Sequence, residues 1–167
     1  MTASIPAWPD PVSLTGQTFF TNAKAIFSAW KSKGLANPAA LAMLAQAEAE
    51  SSFDPNAMGD PDAKGDATAY GLHQWHASRL AAIKAATEID VMADARAGKG
   101  TIPSQVDAAW WELMNLPWVG LKAIQSQSTA YGAACQACAL FERVGAADAA
   151  QRRGAMAERW GVYFSKR

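Results

Sequence analysis

The sequence lacks an excess of charge of either sign. Fifteen Lys and Arg residues balance fifteen Asp and Glu residues, so the formal net charge is zero. A nucleic-acid-binding surface normally carries a basic excess, and binding to a membrane surface needs basic residues along an amphipathic stretch. No run approaches the ~20 apolar residues of a membrane span. We therefore expect neither a nucleic-acid partner nor membrane insertion.

Cysteine and histidine are also scarce. Cys135 and Cys138 are the two cysteines, and His73 and His76 are the two histidines. A zinc site would need two further ligands at a suitable spacing, and a thioredoxin-like C-x-x-C motif would begin a helix after a strand. The C-x-x-C here falls inside a helical pattern instead. We predict two reduced, buried packing cysteines, with no metal and no cofactor.

Apolar residues are abundant, making up half of the chain. A chain of 167 residues with this composition fits one domain with a full core. Pro6, Pro9 and Pro11 predict an extended arm over residues 1–14, so that the domain covers residues 15–167. Residues 53–70 are rich in Asp, Gly and Pro, which predicts a polar loop or a short β-hairpin.

The spacing of apolar residues predicts about seven helices and a mostly α fold. They are expected at about 18–33, from 37 to before 54, and at 75–88, 104–115, 117–125, 130–144 and 146–164. Asn37, Ser104 and Thr129 are predicted as N-caps, because their side chains can accept hydrogen bonds from the first turn. The polar loop or hairpin therefore follows the second helix.

Glu50 stands where an alanine-rich helix meets this polar loop. Partial burial there would raise the pKa of its carboxyl, so that it stays protonated near neutral pH and can donate a proton. Cleavage of a glycosidic bond needs such an acid on the leaving oxygen. Most glutamates near helix ends are solvated surface residues, and Glu48 is a competitor that lies about 200° around the helix.

The residues around Glu50 resemble a known catalytic core. Residues 50–57, ESSFDPNA, are followed by AYGLHQW at 69–75 and by Arg79, and Glu112, Arg143 and Arg153 add to the likeness. This pattern resembles the lysozyme-like muramidases and lytic transglycosylases, and is most similar to the phage tail lysozyme family, over about residues 18–160. Three positions depart from the family pattern: Ser52 replaces the usual glycine, His73 an apolar residue and Val144 a proline.

The resemblance implies a lysozyme-like fold with Glu50 as the acid. Gln74 corresponds to the family glutamine that lines the sugar cleft. Tyr70 and Trp75 offer aromatic rings for stacking on sugars, and His73 is expected either to contact saccharide or to lie exposed. Ser51 would orient the glutamate or simply support the helix end, and Trp75 would stack on a sugar or pack in the core. Among the loop aspartates, Asp60 and Asp66 are the leading candidates for a second carboxylate that activates water, although Asp is also an ordinary turn residue.

The expected function is that of a muramidase that cleaves the β-1,4 bond between N-acetylmuramic acid and N-acetylglucosamine in peptidoglycan. The alternatives are a lytic transglycosylase that forms 1,6-anhydro ends and a non-catalytic wall-binding phage module. The N-terminus lacks the pattern of a secretory signal. We expect a monomer made in the host cytoplasm, which reaches the periplasm or wall through a holin-type pore as an endolysin or is carried in the virion tail.

Overall fold

The fold is mostly helical, as predicted, in a computed structural model that describes residues 14–166. The predicted arm over residues 1–14 lies almost wholly outside the described residues. Eight α-helices are described: α1 (Leu14–Ser32), α2 (Asn37–Ser51), α3 (Ala77–Thr87), α4 (Val91–Arg96), α5 (Ile102–Asn115), α6 (Leu121–Gln125), α7 (Ala130–Gln136) and α8 (Ala147–Ser165). Strands β1 (Met58–Pro61) and β2 (Ala67–Tyr70) form the predicted hairpin after α2.

Helix α2 lies at the centre of the fold. Residues 39–47 are all buried, and α1, α7 and α8 pack around them. The many alanines of α2 let these helices approach closely, so that one hydrophobic core surrounds it. Ala36 rather than Asn37 is the N-cap, and no side chain bonds to the first turn. The predicted Asn37 cap is therefore wrong, while Pro38 occupies the first turn as expected.

A left-handed turn ends α2 directly after the candidate acid. Ser52 has φ 51° and Phe53 has φ 68°, in the region that favours glycine. This geometry gives a physical reason for the glycine that is usual at the position of Ser52 in the family pattern. Phe53 is fully buried, with its ring 4.7 Å from that of Phe19 and 5.5 Å from that of Trp160. The turn and its buried ring fix the end of the helix that carries Glu50.

The hairpin is anchored to α5 by one buried glutamine. Gln105 donates to the carbonyl of Pro55 at 2.6 Å and accepts from the amide of Leu72 at 2.7 Å. Gly71, with φ 75°, lies so close that a Cβ there would stand 2.5 Å from Oε1 of Gln105. Both ends of the hairpin are thus held at a fixed distance from the helix.

Several boundaries differ from the sequence predictions. Helix α4 was not predicted; Asp90 begins it by accepting from the amide of Ala93 at 3.0 Å. Helix α5 is capped by Thr101 rather than by Ser104, whereas Thr129 caps α7 as predicted. A 3₁₀ turn, Pro117–Val119, precedes α6, and a π-helical segment, Ala137–Glu142, continues α7.

Both cysteines lie on this continuous helical segment as free thiols. Cys138 is buried, and Cys135 is half-buried with Sγ 3.4 Å from the carbonyl oxygen of Ala150. Burial raises the pKa of both thiols, which disfavours the reactive thiolate. The predicted packing role is confirmed for Cys138, while Cys135 is less buried than expected.

Candidate active site

Glu50 lies in the last turn of α2, with 19% of its side chain exposed. Arg153 of α8 donates from Nη2 to Oε1 of Glu50 at 2.5 Å, and from Nη1 to Oε1 of Gln46 at 2.6 Å. Gln46 is fully buried one turn earlier on α2. The guanidinium thus holds the glutamate through one oxygen, and within residues 14–166 no group is hydrogen-bonded to the other.

The pKa of Glu50 is raised above its ordinary value. Burial is the largest cause, and the negative charge of Glu142 is the second. The hydrogen bond and charge of Arg153, and the charge of His73, act in the opposite direction and are outweighed. Arg153 therefore positions the carboxyl, while burial and Glu142 make it bind its proton more tightly than an ordinary glutamate does.

Glu48, the competing glutamate, faces another part of the fold. Its Oε1 accepts from Nη2 of Arg159 and its Oε2 accepts from Nε1 of Trp160 at 2.7 Å. Both of its oxygens are thus engaged by α8, and 11% of the side chain is exposed. This contact ties α2 to α8 and leaves Glu48 poorly placed to meet a ligand.

The segment from Gly71 to Trp75 lies against the end of α2. The hydroxyl of Ser51 is 2.9 Å from the carbonyl oxygen of Ala47 and 3.1 Å from that of Leu72. Ser51 thus connects the helix that carries Glu50 to this segment, which fits the predicted supporting role. Gln74, half-buried at φ 46°, donates to the carbonyl of Gly71 at 3.0 Å, so its amide also helps to hold the turn.

Trp75 and Glu112 form a buried polar contact between this segment and α5. Trp75 is fully buried, and its Nε1 donates to Oε2 of Glu112 at 2.7 Å. Arg79 donates to both oxygens of Glu112, at 2.7 and 2.8 Å. The prediction that Trp75 stacks on a sugar is wrong, because its ring has no exposed face. Its alternative role in the core is what the structure has.

His73 is likewise enclosed. It is 1% exposed, and its Nδ1 lies 2.6 Å from Oε1 of Glu142 at the end of the π-helical segment. Nε2 of His73 is buried without a hydrogen-bond partner among the described residues. Direct contact between His73 and saccharide is therefore not supported, because the ring is covered. Its ring lies near enough to Glu50 to be among the groups that influence the pKa of that carboxyl.

Charged side chains surround Glu50 in a cluster with more acids than guanidinium groups. Its members are Glu50, Glu112, Glu142, Arg79, Arg153 and His73. Three carboxyl groups lie close to two guanidinium groups and one imidazole, so groups of both signs act on Glu50. Burial and the charge of Glu142 raise its pKa, while Arg153 and His73 lower it.

Tyr70 lines a cavity of about 700 Å³ beside the hairpin, together with Asp66 and Arg96. The tyrosine is 2% exposed; its hydroxyl donates to the carbonyl of Ala67 at 2.5 Å and accepts from Arg96 at 2.7 Å. The Arg96 guanidinium also lies 5.2 Å from the ring centroid. Open stacking of Tyr70 on a sugar is not supported, because the ring is covered. It shapes the cavity wall instead.

The two predicted second carboxylates lie on the hairpin and are exposed. Oδ2 of Asp60 is 3.3 Å from Nε2 of His76, with 70% of the aspartate side chain exposed. Asp66 lines the cavity, and its amide donates to Asp62, which accepts within the turn. Asp62 is therefore an ordinary turn residue, while Asp60 and Asp66 remain predicted candidates.

The roles of Gln46, Glu142 and Arg153 were not predicted from the sequence. Each lies on a helix whose neighbouring residues are small or apolar, as in Ala45-Gln46-Ala47. A polar or charged residue on the buried face of such a helix needs a partner, and that is the signal that could have identified them. Which partner each would find depends on the packing of α2, α7 and α8.

Two further properties concern other kinds of site. Across residues 14–166, no group of three or more His, Cys, Asp or Glu side chains is arranged to hold a metal ion. In the same range no helix has the length and apolar character needed to cross a membrane.

The fold is mostly helical, with a small hairpin after its central helix and a half-buried glutamate where the helix meets the hairpin. This arrangement is that of a lysozyme-like protein. A sequence model of the phage tail lysozyme family matches residues 21–164, nearly the whole chain. The chain belongs to this family, and its expected activity is directed at the bacterial cell wall. No curated protein and no solved structure matches the chain significantly.

Proposed function

We propose that the protein cleaves the β-1,4 bond between N-acetylmuramic acid and N-acetylglucosamine in peptidoglycan, with Glu50 as the general acid. The observation that carries the proposal is the half-buried carboxyl at the end of α2 whose pKa is raised by burial and by Glu142. A protonated carboxyl can protonate the leaving glycosidic oxygen as the bond breaks. Arg153 fixes one oxygen and leaves the other for that transfer.

Hydrolysis also needs a group that activates water. In an inverting enzyme this second carboxylate lies roughly 6.5–9.5 Å from the acid, and we propose Asp60 or Asp66 on the exposed hairpin for this role. Both are exposed, so a water molecule can reach either carboxylate. Glu142 is less suited to the task, because it is 2% exposed and bonded to His73.

The burial of Glu142 favours a second candidate, the lytic transglycosylase. In that reaction the 6-hydroxyl of the muramic acid attacks its own C1, so no second carboxylate has to activate water. The acid role of Glu50 is the same in both reactions. The released fragments distinguish them, since hydrolysis gives reducing muramic ends, whereas 1,6-anhydro ends are lighter by about 18 Da, the mass of the water that is not added.

The test compares Glu50→Gln with Glu48→Gln, two isosteric changes on the same helix. We expect Glu50→Gln to lower the rate of lysis of purified sacculi by about 10²- to 10⁴-fold, the usual contribution of a general acid. Glu48→Gln should retain most of the activity, because Glu48 is turned towards Arg159. Mass spectrometry of the fragments from the parent protein identifies the reaction.

Two results would remove parts of this proposal. Unchanged lysis by Glu50→Gln would exclude Glu50 from the mechanism. A parent protein that binds sacculi without cleaving them would identify a wall-binding phage module instead.

We further propose that the protein is a phage lysin, either released through a holin-type pore or carried in the virion. Proteomics of purified virions separates these two routes.

A further inference from the structure

A second cavity, of about 280 Å³, lies between α3, α5 and the 3₁₀ turn that follows α5. We call it the Trp118 pocket. Its apolar wall consists of Ala82, Leu116, Trp118 and Val119. Its polar side chains are Ser78, Arg79, Arg143 and Glu112, and the carboxylate of Glu112 is already paired with Arg79. A cavity that combines an apolar wall with a few convergent polar groups is the usual form of a small-ligand site.

Trp118 is unusually open for a tryptophan. It is 57% exposed, while Trp30, Trp75 and Trp160 are fully buried. Pro117 sets the start of its 3₁₀ turn, and Gly120, with φ 77°, ends that turn against Leu140. The ring therefore lines the pocket from a turn whose two ends are set by Pro117 and Gly120, and its exposed part offers apolar area to a ligand.

Arg143 supplies an available cation. It is exposed and, among the described residues, it is in no ion pair. Its backbone has φ 58° where the π-helical segment ends, a conformation that favours glycine and that other side chains adopt at a cost. An arginine at such a position gives the pocket a charge where glycine would be less strained.

Arg79 provides a second cationic group in the pocket lining, with 22% of its side chain exposed. Two of its nitrogens donate to Glu112, while Nη1 lies 3.9 Å from Glu142, beyond hydrogen-bond distance. Within residues 14–166 Nη1 therefore donates no hydrogen bond, and its N–H groups are not committed to an acceptor. Arg79 also interacts electrostatically with Glu50, which places the pocket next to the cluster that holds the candidate acid.

We propose that the Trp118 pocket binds the peptide stem of peptidoglycan through a stem carboxylate. The stem is attached to muramic acid and is made largely of small residues that carry methyl and carboxylate groups. Methyl groups fit against Trp118, Leu116 and Val119, and a carboxylate matches the planar donors of Arg143 and Arg79. The inference rests on the proposed function, because that function supplies the substrate class.

The experiment uses two forms of one substrate: intact sacculi, and the same glycan strands after an amidase has removed the stems. We expect Trp118→Ala and Arg143→Gly to lower kcat/KM on intact sacculi by about tenfold, the loss typical of one strong contact. On stripped strands both variants should match the parent within about twofold. Arg152→Gln, an exposed arginine on α8 that pairs with Asp148, is the control and should match the parent on both.

The choice of glycine at position 143 removes the objection that the variant fails to fold. Glycine relaxes the left-handed backbone, so the Tm of Arg143→Gly should equal or exceed that of the parent. Equal losses on both substrates, or no loss on either, would overturn the proposal.

A binding measurement separates this inference from the proposed cleavage reaction. The soluble pentapeptide L-Ala-γ-D-Glu-L-Lys-D-Ala-D-Ala is titrated into the parent, Arg143→Gly and Arg152→Gln proteins by calorimetry. We expect binding that weakens about tenfold in Arg143→Gly alone, whether or not the parent cleaves the glycan. Absence of binding to the parent would overturn the pocket assignment and leave the role of Glu50 untouched.

Discussion

Replacing Arg153 by methionine separates the two effects of this residue on Glu50 and on the fold. The change removes the hydrogen bond and the positive charge that lower the pKa of Glu50. The pKa of Glu50 should therefore rise further, because burial and Glu142 remain. Since a general acid is active while protonated, the alkaline limb of the pH–rate profile should move to higher pH.

The cost of Arg153→Met in stability follows from Gln46. Its side-chain oxygen accepts from Arg153 at 2.6 Å in a fully buried position. A buried acceptor that loses its partner costs about 1–3 kcal/mol. For a chain of this size each kcal/mol lowers the Tm by about 2–4 °C, so we expect a decrease of about 2–12 °C, measured by calorimetry.

The matched control for this prediction is Arg159→Met. Arg159 is also on α8 and also pairs with a glutamate of α2, but that glutamate is Glu48. The control should lose stability while keeping the alkaline limb of the parent. A limb that stays in place or moves to lower pH in Arg153→Met would refute the claim that Arg153 opposes protonation of Glu50.

Two other changes test the rest of the cluster. Glu142→Gln removes a negative charge that raises the pKa of Glu50, an effect larger than the lowering by His73. The alkaline limb of the pH–rate profile should therefore move to lower pH. A shift to higher pH would contradict the claim that Glu142 raises this pKa. Glu112→Leu leaves Arg79 and the indole N–H of Trp75 without their acceptor, which should cost about 3–5 kcal/mol and lower the Tm by on the order of 10 °C. On the same helix, Asp107→Asn breaks only an exposed pair with Lys33 and should cost less than about 1 kcal/mol; similar losses from both changes would refute the special role of the buried pair.

The sequence predicted the parts of the fold that depend on local patterns. The helical spacing, the polar hairpin after α2 and the Thr129 cap follow from residues close together in the chain. The same local reasoning failed at Asn37, whose side chain does not cap α2, and at α4, whose six residues are too short to show a clear period.

Only those residues of the candidate site that belong to a sequence motif could be predicted. Glu50 was chosen from position and resemblance; it lies part-buried at the end of α2, and its acid role stays a prediction. Arg153 and Glu142, which act on Glu50, come from α8 and the end of the π-helical segment, about 90 to 100 residues along the chain from Glu50. Aromatic residues beside the motif invited a sugar-stacking role, but a tryptophan such as Trp75 serves equally well in a core, and burial decides between the two.

The central claim is that the carboxyl of Glu50 keeps its proton above the pH at which an ordinary glutamate loses it. Carbon-13 NMR of the side-chain carboxyl, assigned by comparison with Glu50→Gln, measures this titration directly. We predict a midpoint above the ordinary glutamate pKa of 4.5. A midpoint at or below that value would mean that Arg153 holds Glu50 as the anion, and it would contradict the acid role.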